Sequence, residues 1–360
     1  RQNGDTNASP FAFHTTRHSI LGIKQTNTMK KSLLLFFSII SAVFCHGQIS
    51  TKDSTVNVVA YFNKGDTVTY GYTHMNPKYI GKDTLYDAYL TARFQLSVLS
   101  ASDKGYRIEY TPGSYVCAPD SVLTEAGRIG IKMVKAVEQI ANKTKPIFVL
   151  DEYGSLKKIE NSKEIISKWR KLVDVAIKTI YKEDPRLEKV IDKKAMKEYM
   201  LSTAKTEDDL WKLYEEMILL FGYHGLAFDM KKTTIENEAG LREFYSGKDR
   251  PDKYGTDNDY MVYAKQTTNI PSETVQTLVG EQLEQLVGKE MVDSLQNIVK
   301  GASGWPDIEV TNTHIVRYWS NGWPKETSTV IKVRPTSVVK EELAKPKEIR
   351  TIEWIDYTGK

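Results

Sequence analysis

Apolar and polar residues alternate along much of the first part of the chain, which is the pattern of β-strands. In residues 92–98, Ala, Phe, Leu and Val occupy every second position, and Arg, Gln and Ser lie between them. This period of two places one side of each strand in a core. Short polar turns, such as 102–105, separate the runs, so we expect antiparallel hairpins. The predicted strands in this part are 56–62, 67–73, 92–98, 106–110, 146–150 and 155–159.

The middle of the chain changes to a period of three to four residues, which is typical of amphipathic helices. Asn161 and Glu164 have the spacing of a capping box, and Thr206 is placed to cap a later helix. Gly288 weakens the last of these helical patterns and allows a break there. The predicted helical segments are 120–140, 161–222 and 272–300.

Strand patterns return toward the end of the chain. The predicted strands are 225–230, 260–268, 308–310, 314–319, 327–333 and 349–355. Because strands begin and end the domain and helices fill its middle, the order favours an α+β fold over repeated βαβ units. We expect a curved antiparallel β-sheet, half-barrel-like, that packs against and wraps a central set of α-helices in a single domain, 48–360. The polar stretch 245–259 is predicted to be a surface loop.

The residues before this domain have the composition of a secretory leader. Met29 and two lysines open a short apolar run that ends at Phe44, and Cys45 and Gly47 then supply small residues. That three-part order is typical of a signal peptide, which we predict for 29–47. A membrane-spanning helix needs roughly 20 apolar residues, and this run is shorter.

We interpret 1–28 as a disordered upstream extension and expect a periplasmic or secreted protein that begins near Gln48. Once the leader is removed, no membrane-spanning segment is expected. A lipid-modified Cys45 is the alternative, although Phe44 and Ala42 depart from the residues usual before such a cysteine.

Removal of the leader also removes the net charge. Residues 1–47 carry five of the 50 basic residues and one of the 46 acidic residues, so the remaining chain carries 45 of each. A neutral domain has no overall positive field, which argues against nucleic acid as a partner. Of the two cysteines only Cys117 remains, so the predicted mature chain cannot form an internal disulfide.

The sequence lacks the motifs of the common catalytic and cofactor-binding sites. It contains no Gly-x-Ser-x-Gly, no His-Glu-x-x-His and no Gly-x-Gly-x-x-Gly after a predicted strand. Gly247-Lys248 is followed by Asp249 rather than Ser or Thr, so it does not form a phosphate-binding loop. We therefore predict no catalytic residue, no cofactor and no metal ligand.

Isolated reactive residues have more ordinary interpretations. His74, His224 and His314 fall in or beside predicted strands without the close spacing of metal ligands, so hydrogen-bonded structural roles are favoured. Cys117 has no nucleophile signature around it, and a buried apolar role is favoured.

An acidic stretch surrounds Gly255, where Asp252, Asp257 and Asp259 lie close together. Their order differs from that of a calcium-binding loop, and neighbouring basic residues offset their charge. A solvated loop is therefore favoured over a calcium site.

Aromatic residues form the one candidate binding surface. They occur in an early and a late group, and amphipathic rings of this kind line ligand pockets and partner surfaces. Packing within the core is the favoured alternative. The candidate residues are Tyr70, Tyr72, Tyr318, Trp319, Trp323 and Trp354.

The order of elements resembles a known class of protein. Residues 148–161, Phe-Val-Leu-Asp-Glu-Tyr-Gly-Ser-Leu-Lys-Lys-Ile-Glu-Asn, form a predicted hairpin that leads into helices and then back to strands. With the lysine-rich leader and Gly47-Gln48, this order is similar to uncharacterised exported proteins of Gram-negative bacteria. It is loosely similar to the lipoprotein-carrier (LolA-like) half-barrel families of unknown function. The resemblance implies an apolar cavity between sheet and helices. The helical middle is much longer than in the carriers, so carrier activity does not transfer.

Three functional hypotheses remain open. The first is a non-catalytic envelope protein that binds an apolar small molecule or lipid in a large pocket between sheet and helices. The second is a structural or interaction component of the envelope with a protein partner, which an exposed aromatic patch would favour. The third is a hydrolase without a recognisable motif, which requires His224 or His314 in a cleft beside an acid. The oligomeric state is open in each.

Overall fold

A computed structural model describes fourteen stretches of the chain. They are residues 48–50, 52–80, 82–124, 127–128, 131, 144–183, 185, 188, 192–237, 240–249, 256, 258–274, 307–336 and 345–358. These residues belong to one compact unit. The predicted upstream extension, the signal peptide and Cys45 lie outside the described residues, as do most of the helices predicted for 120–140 and 272–300.

The described strands form two antiparallel sheets. They are β1 (Ile49–Ser50), β2 (Thr55–Asn57), β3 (Thr67–Ile80), β4 (Asp83–Ser102), β5 (Gly105–Cys117), β6 (Ile147–Leu150), β7 (Leu156–Ile159), β8 (Ala227–Asp229), β9 (Thr233–Asn237), β10 (Gly240–Lys248), β11 (Tyr260–Ile270), β12 (Ile308–Tyr318), β13 (Pro324–Pro335) and β14 (Pro346–Thr358). The large sheet has the order β7-β6-β5-β4-β3-β14-β13-β12-β11-β10-β9, and the small sheet has the order β1-β2-β8.

The large sheet consists of two meanders joined along one seam. Strands β3 to β7 form the first meander and β9 to β14 the second, because each strand pairs with the next one in the sequence. At the seam β14 pairs with β3, which places Trp354 opposite Tyr70 and Ile352 opposite Tyr72. Early and late strands therefore share one curved, unclosed sheet, and the predicted α+β fold is confirmed.

Four described helices lie between β7 and β8. They are α1 (Ser162–Glu183), α2 (Lys193–Ser202), α3 (Glu207–Leu213) and α4 (Glu215–Phe221). Thr206 caps α3 through reciprocal hydrogen bonds with Asp209, as its sequence predicts. The Asn161 side chain, predicted to cap α1, instead binds β6 by accepting a hydrogen bond from the Ile147 amide.

The predicted helix that Thr206 caps is divided in two. Tyr214 has φ −114° and ψ 44°, which ends α3 and separates it from α4. The apolar period continues through this break, so the sequence pattern does not reveal it. The break gives α4 its own first turn, which begins with Glu215 and Glu216.

Several strand predictions differ from the structure; for example, the strands predicted for 308–310 and 314–319 are one strand, β12. The strand predicted for 56–62 ends at Asn57, and Ala60 and Phe62 then enter the core as irregular chain. Strands β9 and β10 were missed, and β10 occupies the start of the predicted loop 245–259. β10 lacks clean alternation of apolar and polar residues, but it is hydrogen-bonded on both sides, to β9 and β11.

Two apolar clusters lie on the same face of the large sheet, which we call the inner face. One cluster fills the space between the first meander and helices α1–α4. The other lies between the small sheet and strands β11 and β12, and its members include Phe228 of β8, Val262 of β11 and Val316 of β12. The helices therefore cover the first meander, and the small sheet covers part of the second.

Ile352 tests whether the seam supports the core, because it is fully buried on β14. Ile352→Ala removes buried methylene groups and leaves a cavity, so we expect the free energy of unfolding to fall by about 2–5 kcal/mol. The control Glu353→Ala changes the next, exposed residue and should shift it by less than about 0.5 kcal/mol. Urea unfolding followed by tryptophan fluorescence measures both, and equal small effects would contradict this role of the seam.

Candidate ligand site on the inner face

Charged residues interrupt the inner face where β3 meets β14. His74 lies opposite Arg350 in the ladder, and Glu348 is two residues before Arg350 on the same strand. Arg350 Nε donates to Glu348 Oε1 at 2.6 Å, and His74 Nε2 lies 2.8 Å from the same oxygen. The three side chains are 14–19% exposed, so water reaches them only in part.

Helix α4 adds a second carboxylate to this group. Arg350 Nη1 donates to Glu215 Oε2 at 2.5 Å, and the Tyr72 hydroxyl donates to Glu215 Oε1 at 3.3 Å. One guanidinium thus bridges a carboxylate of the sheet and a carboxylate of a helix. We call His74, Glu348, Arg350, Glu215 and Tyr72 the seam network.

The seam network determines the charge state of its members. Burial acts to raise the pKa of Glu348, but the hydrogen bond from His74 and the charge of Arg350 outweigh it and lower that pKa. Burial acts to lower the pKa of Arg350, but the Glu215 and Glu348 carboxylates raise it overall. Burial and then the charge of Glu215 raise the pKa of Tyr72 well above its ordinary value. At neutral pH the network therefore contains a charged pair and a neutral phenol.

Glu216 lies beside the network but is fully buried. Burial raises its pKa to about 7, although a hydrogen bond with Tyr110 opposes that rise. The neighbouring Glu215 carboxylate adds to the rise because two nearby negative charges repel each other. This carboxyl group therefore exchanges its proton near neutral pH.

A row of polar side chains crosses the inner face next to the seam network. Arg242 Nε, Asn312 Oδ1 and Asn76 Oδ1 are buried in this row, and none of the three has a hydrogen-bond partner in the described stretches. Each such group lowers stability by roughly 1–3 kcal/mol, so the row is unfavourable in the protein alone. We call this set the polar row. Its members are Arg242 of β10, Gln266 of β11, Asn312 of β12 and Asn76 of β3, and Ile331 and Glu348 lie between Asn312 and Asn76 on β13 and β14.

Beyond the polar row the inner face becomes apolar again. Val310 lies opposite Val333, and Ile308 lies opposite Ile270, so the four side chains adjoin on three strands. Val333 is 38% exposed, and the other three are half-buried. We call Ile270, Ile308, Val310 and Val333 the apolar platform. A polar row next to a partly exposed apolar surface matches the two ends of an amphipathic molecule.

Three of the predicted surface aromatics belong to the core instead. Tyr70, Tyr318 and Trp323 are at most 2% exposed, so they are not available to a partner. Phe62 stacks on Trp323 with ring centroids 4.0 Å apart, and the Tyr70 hydroxyl donates to the Pro324 carbonyl at 2.8 Å. These three side chains belong to the two clusters that the helices and the small sheet cover on the inner face. The alternation of apolar and polar residues in the sequence does not show which stretches of a sheet are covered.

The other three predicted aromatics are partly buried. Tyr72 belongs to the seam network. Trp319 and Trp354 pack edge to face with ring centroids 4.7 Å apart. Lys325 Nζ lies 4.2 Å from the Trp319 ring centroid, which is the distance of a cation–π contact.

The histidines do not converge on one site. His224 and His314 are fully buried, and burial lowers the pKa of each to about 4. His224 Nε2 donates to the Gly322 carbonyl at 2.9 Å, and His314 Nδ1 lies 2.7 Å from Thr329 Oγ1. In the described part of the chain neither ring is hydrogen-bonded to an acid, as the hydrolase hypothesis requires.

The sequence did not indicate His74 as the histidine that pairs with an acid. Glu348 and Arg350 alternate on one side of β14, and this spacing of opposite charges was the available signal. Their partners His74 and Glu215 come from distant parts of the chain, so only the fold identifies the network.

Other isolated residues have structural surroundings. Asp259 is buried and accepts a hydrogen bond from Lys325 Nζ at 3.1 Å, whereas Asp252 and Asp257 lie outside the described residues. Cys117 is half-buried at the end of β5. Among the described residues, no three His, Cys, Asp or Glu side chains are grouped to hold a metal ion.

Comparison with known proteins leaves the chain without an assigned family. No protein-family model and no curated protein matches it. Among solved structures, the chain is similar to a lipovitellin structure that concerns lipid–protein interactions, with 8% sequence identity and a TM-score of 0.37. The similarity covers 83% of this chain but 26% of that one, so the chain spans about a quarter of that protein's length. At this level the comparison assigns neither family nor activity.

None of the helices in the described stretches is both long and apolar enough to cross a bilayer.

Glu216 predicts a specific pH dependence of stability. Its folded pKa of about 7 exceeds the value of 4.5 for an ordinary Glu, so the folded state holds the proton more tightly than the unfolded state. Its contribution is therefore fully present below pH 4.5 and is lost as pH rises to 7, by about 3 kcal/mol. Glu216→Gln should remove this decline, as measured by urea unfolding at several pH values. The partly exposed neighbour variant Glu215→Gln removes only the smaller repulsive contribution and should retain most of the decline. Parallel profiles for wild type and Glu216→Gln would contradict the assignment.

Proposed function

We propose that the chain is an exported, non-catalytic protein that binds an amphipathic, lipid-like ligand on the inner face. The polar end of the ligand lies at the polar row and the seam network, and its apolar part lies on the apolar platform. The observation that carries the proposal is the row of buried, unpartnered polar atoms between a packed core and a partly exposed apolar surface.

The chemistry of the unpartnered atoms indicates the kind of head group. Arg242 Nε is a donor and suits a phosphate or carboxylate oxygen. Asn76 Oδ1 and Asn312 Oδ1 are acceptors and suit a hydroxyl or ammonium group. A head group with both an anionic oxygen and a donor suits Arg242 Nε and Asn312 Oδ1, which lie two strands apart, and the desolvation penalty of both atoms would be recovered on binding. Asn76 lies three strands farther along the sheet.

The ligand lies beyond the helices rather than beneath them. The described interior under α1–α4 is closely filled, with Tyr70, Phe94 and Phe148 at most 2% exposed. Ring centroids of Tyr70 and Phe94 are 5.4 Å apart, which is a stacked contact. A cavity between the first meander and these helices, as the carrier resemblance implies, would require this core to open.

We also propose where the protein is located in the cell and to which families it is distantly related. The lysine-rich start and short apolar run of 29–47 support export to the periplasm or beyond. A curved, unclosed antiparallel sheet with helices on one face supports a distant relationship to the LolA-like half-barrel families.

A protein partner is the second candidate, and one observation favours it. Exposed aromatic residues lie near the β12–β13 turn, where Tyr61 is 51% exposed and its amide bonds the Asn321 carbonyl. Tyr357 is 37% exposed and packs near Trp354, with ring centroids 6.3 Å apart. Aromatic groups of this kind are common in partner surfaces.

Asn312 tests the ligand proposal through a trade-off between stability and binding. Asn312→Leu removes a buried acceptor without a partner, so we expect the ligand-free protein to gain about 1 kcal/mol in the free energy of unfolding. The same change removes a contact to the head group, so less ligand should co-purify. Native mass spectrometry of protein purified from its own envelope measures occupancy, and urea unfolding after ligand extraction measures stability.

Thr313→Val is the matched control for Asn312→Leu, because Thr313 lies next in β12 and points to the opposite face. Its effects on ligand occupancy and on the stability of the ligand-free protein should both be smaller than those of Asn312→Leu. A bare wild-type mass, or equal occupancy in Asn312→Leu and wild type, would count against the proposal.

Export predicts a particular N-terminus for the protein recovered from cells. Cleavage after Gly47 would leave Gln48 as the first residue, without Cys45. Intact-mass measurement and N-terminal sequencing of the envelope fraction check this expectation. A chain that retains 29–47 would contradict it, and a lipid-bearing Cys45 at the N-terminus would establish the anchored alternative.

A further inference from the structure

Residues 162–205, which include helices α1 and α2, carry an excess of positive charge. Residues 162–205 contain twelve Lys and Arg but only seven Asp and Glu. The rest of the chain from Gln48 onward contains 33 basic and 38 acidic residues. A neutral domain is therefore divided into a positive helical pair and a negative remainder.

Part of this charge lines two adjoining surface depressions. The first is bordered by Lys163, Arg170 and Lys171 of α1, with Ile166 as its apolar part. None of these three cations forms an ion pair with another described residue, and all three are exposed. Unpaired cations attract an anionic partner more strongly than cations that are already neutralised.

The second depression continues the first toward α2. Arg170 borders both, and Lys205 and Leu201 lie on the far side. Lys197 also borders it but is paired with Asp174, at 2.6 Å. The long stems of Lys and Arg can lie on apolar residues while their charged ends reach outward, which suits the boundary between water and lipid.

An exposed apolar residue lies within the same face. Val175 is 54% exposed and comes four residues after Lys171 and three before Lys178, so all three share one side of α1. On the opposite side of α1, Ile165, Trp169 and Val173 are buried. We call Lys163, Arg170, Lys171, Val175 and Lys205 the basic face.

We infer that the basic face docks on an anionic lipid bilayer. Bilayer phosphates offer a flat array of negative charge, and guanidinium and ammonium groups bind phosphate oxygens directly. Val175 can enter the head-group region without exposing a buried core. A bilayer can meet the basic face alone, whereas a nucleic acid that extends past this face would also meet the negative remainder of the domain and be repelled by it.

This inference uses different residues from the proposed ligand site, so either can fail alone. If both hold, the helices would place the domain on a membrane surface, and the inner face would take its ligand from or near that surface.

Vesicle flotation with the full chain tests the docking. Vesicles of phosphatidylcholine alone are compared with vesicles that also contain phosphatidylglycerol. Wild type should bind the anionic vesicles more tightly, and added salt should weaken the binding. Lys163→Gln, Arg170→Gln and Lys171→Gln together should lower the apparent binding constant by about 100-fold, since each charge contributes roughly fivefold.

The matched control is Lys52→Gln, Lys64→Gln and Lys104→Gln together. It removes the same charge from exposed positions outside the helices and should retain most of the binding. Both variants share residues 1–47, so any contribution of the leader cancels in their ratio. Val175→Ser should reduce the binding that remains at high salt.

Four outcomes would overturn the inference. The first two are equal losses of binding in the two triple variants and equal binding of wild type to both kinds of vesicle. The third is tighter binding to duplex DNA than to anionic vesicles. The fourth is release of the protein from anionic vesicles by inorganic phosphate to a greater extent than by chloride at equal ionic strength. The third outcome would assign the face to nucleic acid, and the fourth to a single-phosphate site.

Discussion

The antiparallel pairing of β3 with β14 is the constraint on which the rest of the structure depends. Each meander has its own hairpins, but only this seam makes them one sheet with a continuous inner face. The seam joins residues far apart in sequence, for example His74 and Glu348, which are 274 positions apart. Such a contact closes a long loop, so it must be stabilised by burial on the inner face. Ile352 supplies part of that burial.

The polar groups on the inner face follow from the same seam. A residue at the centre of a large sheet cannot turn to solvent, so a charge there needs a partner of opposite sign. Arg350 finds two carboxylates, one from its own strand and one from α4. The seam network therefore joins helix to sheet, whereas Arg242 Nε, Asn312 Oδ1 and Asn76 Oδ1 of the polar row have no hydrogen-bond partner among the described residues. That difference separates a structural network from a candidate binding site.

The two proposed surfaces are physically different. On the inner face, few polar atoms are shielded from water, so a ligand that pairs with them gains strong, specific hydrogen bonds. On the basic face, the charges remain in water, so attraction is long-range, weak for each residue and sensitive to salt. The first arrangement suits recognition of one molecule, and the second suits attraction to an extended surface.

The sequence by itself determined the kinds of element, most of their positions and the α+β class. Hydrophobic period is a local property, and residues such as Phe94, Leu96 and Val98 display it directly. The strand β10 was missed because its place depends on hydrogen bonds to neighbours and not on its own pattern. Likewise, alternation could not separate Trp323, which is core, from Trp354, which is partly exposed.

Only the tertiary structure decided the candidate site. The break at Tyr214 presents Glu215 to Arg350, and the seam presents His74 to Glu348. The polar row takes single residues from four different strands, and no local spacing connects them. A sequence pattern shows which side chains of a segment can be buried, because the order of apolar and polar residues is a property of that segment alone. Which polar side chains become neighbours depends on strand register across the whole sheet, and that is set only when the two meanders join.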